Sequence, residues 1–312
     1  MSSAGDNLEV DDATKEAAAC CASCGIAEEV DDVKLKGCDD CDLVNYCGNE
    51  CKEDHRSQHE AVCRKRAAEL RDTVLFKLPE SNHLGDCSIC CLPLPIDDKN
   101  RSLYSCCSKY VCDGCLYADK LRQSREIINV QTCPFCRHPL PKTLEDFYKT
   151  LMKRVKANDP TALREMAVDH FDKGEYVAAI EYYTRAIDLG NADAHYDLSF
   201  LYREGQGVKE DKKKELYHLE EAAIQGHPFA RHNLGCYENM SGEIVRAVTH
   251  WIIAANLGND QSLQALKECY RDGEVSKEDF AAALRAHHAT VNATKSPQRR
   301  EAENVKSMMT EL

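Results

Sequence analysis

A mainly α chain, with two small cysteine-stapled modules ahead of an α-solenoid of helix pairs, is the fold the sequence predicts, and three observations predict it. Seventeen of the nineteen cysteines precede residue 137. Within that stretch fifteen of them, together with His59, fall into two successive arrays of eight candidate ligands. From residue 158 onward the sequence repeats itself at 32 to 36 residues. At 312 residues the chain is long for one ordinary core, so two or three units are expected.

The first array reads Cys21-x2-Cys24, Cys38-x2-Cys41, Cys47-x3-Cys51 and His59-x3-Cys63. Such spacing is the signature of tetrahedral zinc sites. Apolar side chains around it are too few for a core, so metal ions must staple the segment. Structural zinc supplies on the order of 10 kcal/mol of apparent folding free energy in small domains. His59 and Cys63 stand four apart among good helix formers and project from one helical face, and Cys47 and Cys51 repeat that spacing.

The spacing, the Tyr46-Cys47 dipeptide and the final His-x3-Cys resemble the MYND-type zinc finger, over residues 20–64. The resemblance implies interleaved sites: Cys21, Cys24, Cys47 and Cys51 on one zinc, Cys38, Cys41, His59 and Cys63 on the other. Cys20 and Cys24 form a competing x3 pair, and the commoner two-residue knuckle favours Cys21. His55 is expected as a solvated helix residue. Peptide-binding members carry Gln just after the cysteine matching Cys51 and Trp four residues further on. This chain has Lys52 and Arg56 there, so their proline-peptide groove is not carried over.

A helical linker is expected over 65–84, broken at Leu78-Pro79. Next, over 85–141, comes the second array: Cys87-x2-Cys90, Cys106 with Cys107, Cys112-x2-Cys115 and Cys133-x2-Cys136. It resembles a RING finger of the kind in which all eight ligands are cysteine. That resemblance implies one zinc on Cys87, Cys90, Cys112 and Cys115, and another on Cys106, Cys107, Cys133 and Cys136, four zinc ions in all. Neighbouring residues on a strand point to opposite sides, so Cys106 and Cys107 share an ion only if the chain turns sharply between them. Otherwise His138 or a water is the eighth ligand, since the place of the usual histidine holds Lys109.

RING fingers commonly act as ubiquitin ligases by holding a charged ubiquitin-conjugating enzyme. Under the resemblance Ile89 matches the apolar contact residue, Pro134 the second contact loop and Arg137 the linchpin that holds the thioester in a reactive pose, a positioning effect with no nucleophile. Leu116 or Tyr117, on the helix after Cys115, stands in for the large side chain of active members. The plainer reading makes Ile89 a plug for a tiny core and Arg137 a solvated cation beside thiolates. Enzyme status stays open between the two.

Residues 142–157 read as a linker helix into the array at 158–292. There Gly190, Gly226 and Gly258 set the phase: four residues on stand Ala194, Ala230 and Ser262, and eight on stand Leu198, Leu234 and Leu266. Ala194, Leu198, Leu201 and Tyr202 make one apolar stripe that needs a neighbouring helix, and the glycines are the expected left-handed helix stops. The stretches GNADAHYDLSFLYREGQGV and ELYHLEEAAIQG resemble the Sel-one-like repeat, about four units with divergent caps, which implies a protein-binding scaffold. Cys236, Cys269 and His287-His288 are expected to be packing residues.

The formal charge of -13 grows by seven negative charges if three four-thiolate sites and one three-thiolate site fill with zinc. Phosphate backbones are then disfavoured partners and proteins favoured ones. No apolar run is long enough to span a bilayer, and the acidic N-terminus shows no leader, so a cytoplasmic or nuclear protein is expected. Residues 1–19 and 293–312 read as a disordered acidic segment and a flexible tail. Taken together, the sequence predicts a zinc-binding multidomain adaptor. A RING-type ubiquitin ligase is its most specific form, and a nonenzymatic scaffold linked to transcription or chromatin is the alternative.

Overall fold

The computed structural model describes residues 20–24, 26, 34–126 and 130–310, which divide into two compact units, Met1–Leu75 and Phe76–Leu312. The segment expected as a disordered N-terminus, 1–19, lies outside the described residues.

In the first unit, strands β1 (Lys36–Gly37) and β2 (Asn45–Tyr46) pair antiparallel, with Lys36 opposite Tyr46. A single helix follows, α1 (Asn49–Leu75). Leu35, Val44 and Tyr46 are the small apolar cover packed around Cys21, Cys38 and Cys41. The helix runs from the finger straight into the segment expected as a separate linker. Residues 64–75 (RKRAAELRDTVL) hold no glycine or proline and consist mostly of strong helix formers, so nothing stops it earlier.

The second unit opens with a hairpin of β3 (Arg101–Tyr104) and β4 (Lys109–Cys112), Arg101 opposite Cys112 and Tyr104 opposite Lys109. Helices α2 (Asp113–Arg125) and α3 (Leu144–Lys156) come next. Four antiparallel pairs then stack: α4 (Pro160–Asp172) with α5 (Tyr176–Ile187), and α6 (Ala192–Glu204) with α7 (Lys212–Ile224). The remaining two are α8 (Pro228–Met240) with α9 (Ile244–Asn256), and α10 (Asp260–Arg271) with α11 (Lys277–Ala293). A last helix, α12 (Pro297–Thr310), ends the described chain.

The repeat is built as its phase demands. Gly190, Gly226 and Gly258 adopt positive φ (81°, 86° and 93°) at the ends of second helices. The residue after each caps the next helix: Asn191 accepts the Ala194 N–H at 2.8 Å, His227 that of Ala230 at 3.1 Å, and Asn259 that of Ser262 at 2.7 Å. The stripe residues Ala194, Leu198 and Leu201 are buried with Leu163, Ala167, Tyr183 and Ala186, while α3 adds Leu151 and Val155 to the same core. Further on, Ala247, Trp251 and Leu266 form a second core, with Cys269 inside it and Cys236 packed against it.

Two boundaries differ from expectation. The second cysteine module and the helical array form one unit, because Tyr110 donates to Glu165 (2.8 Å), and Arg164 bonds both Glu165 (3.0 Å) and Asp197 (2.7 Å). Leu103 of β3 also packs on the first solenoid core. The tail expected to be flexible is instead α12 lying on α2, with Ala302 and Arg299 buried. Among the described residues no helix is long and apolar enough to cross a membrane.

Candidate metal centres

Three of the candidate knuckles are short loops whose backbone hydrogen bonds aim two thiols at one point. The N–H of the first cysteine reaches the carbonyl five residues on: Cys21 to Ile26 at 2.8 Å, Cys87 to Leu92 at 2.9 Å, Cys133 to His138 at 2.8 Å. In the last two the loop closes through a residue of positive φ, Cys91 (54°) and Arg137 (59°). This singles out Cys21 over the exposed Cys20, and it explains why Cys91, beside a candidate ligand, faces away from it.

All sixteen expected ligands converge in the expected fours. The ligand atoms of Cys21, Cys24, Cys47 and Cys51 lie within 4.8 Å of one another, as do those of Cys38, Cys41, His59 and Cys63. The second module does the same with Cys87, Cys90, Cys112 and Cys115, and with Cys106, Cys107, Cys133 and Cys136. Sulfur pairs stand at 3.5 Å (Cys24 and Cys47), 3.6 Å (Cys38 and Cys63), 3.9 Å (Cys90 and Cys112) and 3.7 Å (Cys107 and Cys133). A regular tetrahedron with a metal–sulfur bond of about 2.3 Å has edges of about 3.8 Å. A disulfide would need about 2.05 Å. The donor sets therefore fit zinc, and all the cysteines are free thiols.

The adjacent pair is reconciled by a turn. Cys107 and Ser108 both donate to the Tyr104 carbonyl, at 3.2 and 2.9 Å, and Ser108 takes φ 54°, so the chain reverses at the hairpin tip and both thiols reach Cys133 and Cys136. The His138 fallback is not needed, since His138 serves its knuckle through its carbonyl, and Lys109, in the place of the usual histidine, lies over the Phe135 ring. His55 is not simply solvated, since its Nδ1 lies 3.1 Å from the Tyr46 hydroxyl and its ring stacks on His59.

Crowding splits the thiols of each cluster electrostatically. In each cluster one thiol is held below its ordinary value while a neighbour is pushed above it. Burial raises Cys21, but N–H groups of Cys24, Cys47 and Ser23 outweigh it and bring it to about 6. Burial and the N–H groups of Cys90, Cys112 and Ile89 set Cys87 at about 7 in the same way. Cys38 and Cys136 are lowered too, burial being opposed by the N–H groups of Asp40 and His138. Against them, hydrogen bonds from Cys24 and Cys51 raise Cys47 to about 12, burial and Cys38 raise Cys63 to about 12, and burial raises Cys106 and Cys115 strongly. The raised thiols keep their protons until a bound cation makes up for the repulsion among neighbouring thiolates.

A fifth group, His83, Asp193 and His227, has metal-like spacing but a different chemistry. His227 Nδ1 accepts the Ala230 N–H, which leaves the ring proton on Nε2, pointing at Asp193 Oδ1 at 3.3 Å. A metal would need that Nε2 lone pair. His83 Nε2 lies 2.7 Å from the same oxygen, and its ring stacks on His227 at 4.3 Å. Burial and the nearby His83 push His227 down to about 4. Despite its burial, Asp193 is held well below its ordinary value by His83 and His227. The trio is a hydrogen-bonded anchor for the 79–84 segment, a role the sequence reading missed because its members are 110 residues apart.

Ile89 is 42% exposed, and Pro134 and Arg137 are exposed on the paired knuckle. Leu116 packs inward against the module's core, while Tyr117 lines a cleft of about 320 Å³ with Leu121 and with Gln298 and Glu301 of α12.

Two family models match. The MYND finger covers residues 21–63, and the Sel1 repeat covers 162–191 and 192–227. Among solved structures, the Sel1 repeat protein from Oxalobacter formigenes is similar at 21% identity, covering 50% of this chain and 68% of that one, with a TM-score of 0.41. A protective antigen of uropathogenic Escherichia coli strains displaying an SLR fold is similar at 21% identity, over 53% of this chain and 41% of its own, with a TM-score of 0.38. The chain thus carries a MYND finger and Sel1 repeats, the make-up of a protein-interaction adaptor, with a second cysteine module between them whose two clusters could each hold a metal ion.

Proposed function

We propose that this chain is a zinc-dependent adaptor holding four zinc ions, and that its second cysteine module recruits a ubiquitin-conjugating enzyme as a RING-type ligase does. The observation that carries the ligase reading is the joint exposure of Ile89, Pro134 and Arg137 on two knuckles of the same module. The zinc ions would staple the knuckles. Ile89 and Pro134 would offer the apolar contact, and the Arg137 guanidinium would fix the orientation of the thioester, lowering the barrier by positioning alone. The helical array or the first finger would hold the protein to be modified. Free thiols throughout fit the cytoplasm or nucleus, where cysteines stay reduced, and a fluorescent fusion reports this directly.

The test is self-ubiquitination of the full chain with a panel of conjugating enzymes. Zinc-dependent chains should form with wild type, fall at least tenfold in Ile89→Ala, and fall in Arg137→Ala with enzyme binding retained. Absence of chains with every enzyme would end the ligase reading. One observation favours a nonenzymatic scaffold instead: α12 packs on α2 and borders the same cleft as Tyr117, one of the two residues expected to stand in for the large contact side chain. In that case the module would bind other proteins without any transfer of ubiquitin.

A further inference from the structure

The chain's last helix reaches back to the second cysteine module across more than two hundred residues. Arg299, on the first turns of α12, is 6% exposed and directs its guanidinium into the Cys87-to-Cys90 knuckle. Its Nη2 donates to the Cys90 sulfur at 3.4 Å and to the Leu92 carbonyl at 3.3 Å. Its Nη1 donates to the Pro93 carbonyl at 2.8 Å and the Thr294 carbonyl at 2.6 Å. Three backbone carbonyls hold the fork, which leaves one Nη2–H for the Cys90 sulfur, while the buried Nε–H makes no hydrogen bond.

The rest of the helix keeps that fork in place. Gly114 of α2 admits α12 at contact distance: a Cβ there would lie 2.7 Å from the Arg299 nitrogen and 2.8 Å from its Cα. Ala302 is buried in the same seam. Further along, Lys306 pairs with Asp113 and donates to the Lys99 carbonyl at 2.6 Å.

A dication on four thiolates leaves a site of net charge about −2, which costs free energy when enclosed unless donors or cations offset it. The protein supplies a backbone donor from within the module, Cys112 N–H to the Cys87 sulfur at 3.4 Å. The cation comes from outside it. Charge-assisted hydrogen bonds to ligating groups hold those groups in their metal-binding form and orientation.

We infer that α12 is a clasp for the Cys87, Cys90, Cys112 and Cys115 metal site, with Arg299 as the positioning cation that keeps its thiolates ligating. The inference rests on the zinc reading of that cluster. Its consequence is that metal retention at one site depends on a helix that is remote in sequence and carries no ligand itself. Displacing α12 would loosen that ion and leave the other three held.

The experiment is chelator-driven zinc release from the full chain, followed with the chromogenic chelator 4-(2-pyridylazo)resorcinol after counting bound zinc by elemental analysis. Loss of one equivalent in Cys87→Ser assigns the relevant phase. Arg299→Met should release that one equivalent about 10- to 100-fold faster, the usual effect of removing a group that orients a metal ligand. Arg299→Lys, which keeps the charge but not the fork, should fall in between. Ala302→Asp, which lifts the helix with Arg299 intact, should reproduce the Arg299→Met phase. Unchanged kinetics in Arg299→Met would overturn the inference, and so would equal acceleration of all four equivalents, since that would mark general unfolding. Wild type that binds no more zinc than Cys87→Ser would instead overturn the zinc reading of the cluster.

Discussion

Acid should destabilise the second unit through His250. This residue lies on α9 at 0% exposure, and neither of its ring nitrogens has a hydrogen-bond partner. Its ring packs 4.7 Å from that of Phe76. Burial, aided by the charges of Arg231 and Arg246, pushes its pKa down to about 3, against about 6.5 in the unfolded chain. The fold therefore keeps the ring neutral, while the unfolded chain binds a proton below about pH 6.5. The contribution is complete above that pH and drains away as pH falls toward 3. Moving from pH 7 to pH 4.5 crosses about two units below the unfolded value, a loss of about 3 kcal/mol from this one group. His250→Leu abolishes the titration and also removes two orphaned nitrogens. At pH 7 the variant should match wild type or gain about 1 kcal/mol, and at pH 4.5 its lead should widen by about 3 kcal/mol. Urea unfolding followed by far-UV circular dichroism at each pH measures this. Subtracting wild type from variant cancels the carboxylates and thiols common to both. A difference that stays flat from pH 7 to pH 4.5 would refute the argument.

Other consequences are equally direct. Gly235 faces Trp251 so closely that a Cβ would lie 2.5 Å from its Nε1. Gly235→Ala should therefore cost about 1–3 kcal/mol and shift the emission of the single tryptophan, and unchanged emission would count against the packing described. Cys106→Ser should lower bound zinc by about one equivalent, whereas Cys91→Ser, at an exposed knuckle-closing position, should leave the count alone. Zinc uptake at pH 7 should expel protons from each four-thiolate site, because thiols must ionise to ligate. Calorimetry in buffers of different ionisation heat counts those protons, and apparent affinity should weaken as pH is lowered.

The metal clusters were legible in the sequence because a knuckle is a local object: two cysteines separated by two residues are forced together by the loop's own backbone hydrogen bonds. The solenoid was legible for a similar reason, as Gly190, Gly226 and Gly258 stop helices at a regular interval and Leu198, Leu234 and Leu266 follow in phase. What escaped was long-range. Nothing in the string around Arg299 announces a partner at Cys90, 209 residues away. PQRREAENVKSMMT has no broad apolar stripe, so it reads as a tail until Gly114 and Ala302 are seen to let the helix approach α2. Cys106 and Cys107 looked incompatible because alternation along a strand was applied to residues that sit in a turn, where Ser108 reverses the chain. The array's fusion to the second cysteine module was hidden too, since it rests on Tyr110 and Glu165, two residues without any motif.

That last junction has a consequence for handling a bound protein. Half-buried hydrogen bonds through Tyr110, Glu165, Arg164 and Asp197 replace a loose tether, so the knuckles have no swivel of their own against the stacked pairs. On the ligase reading proposed above, a protein gripped by the array would be offered to them from a single bearing. Choice among the side groups of that cargo would then fall to where each one sits on its surface, as on a workbench with a fixed vice, rather than to the length of a leash.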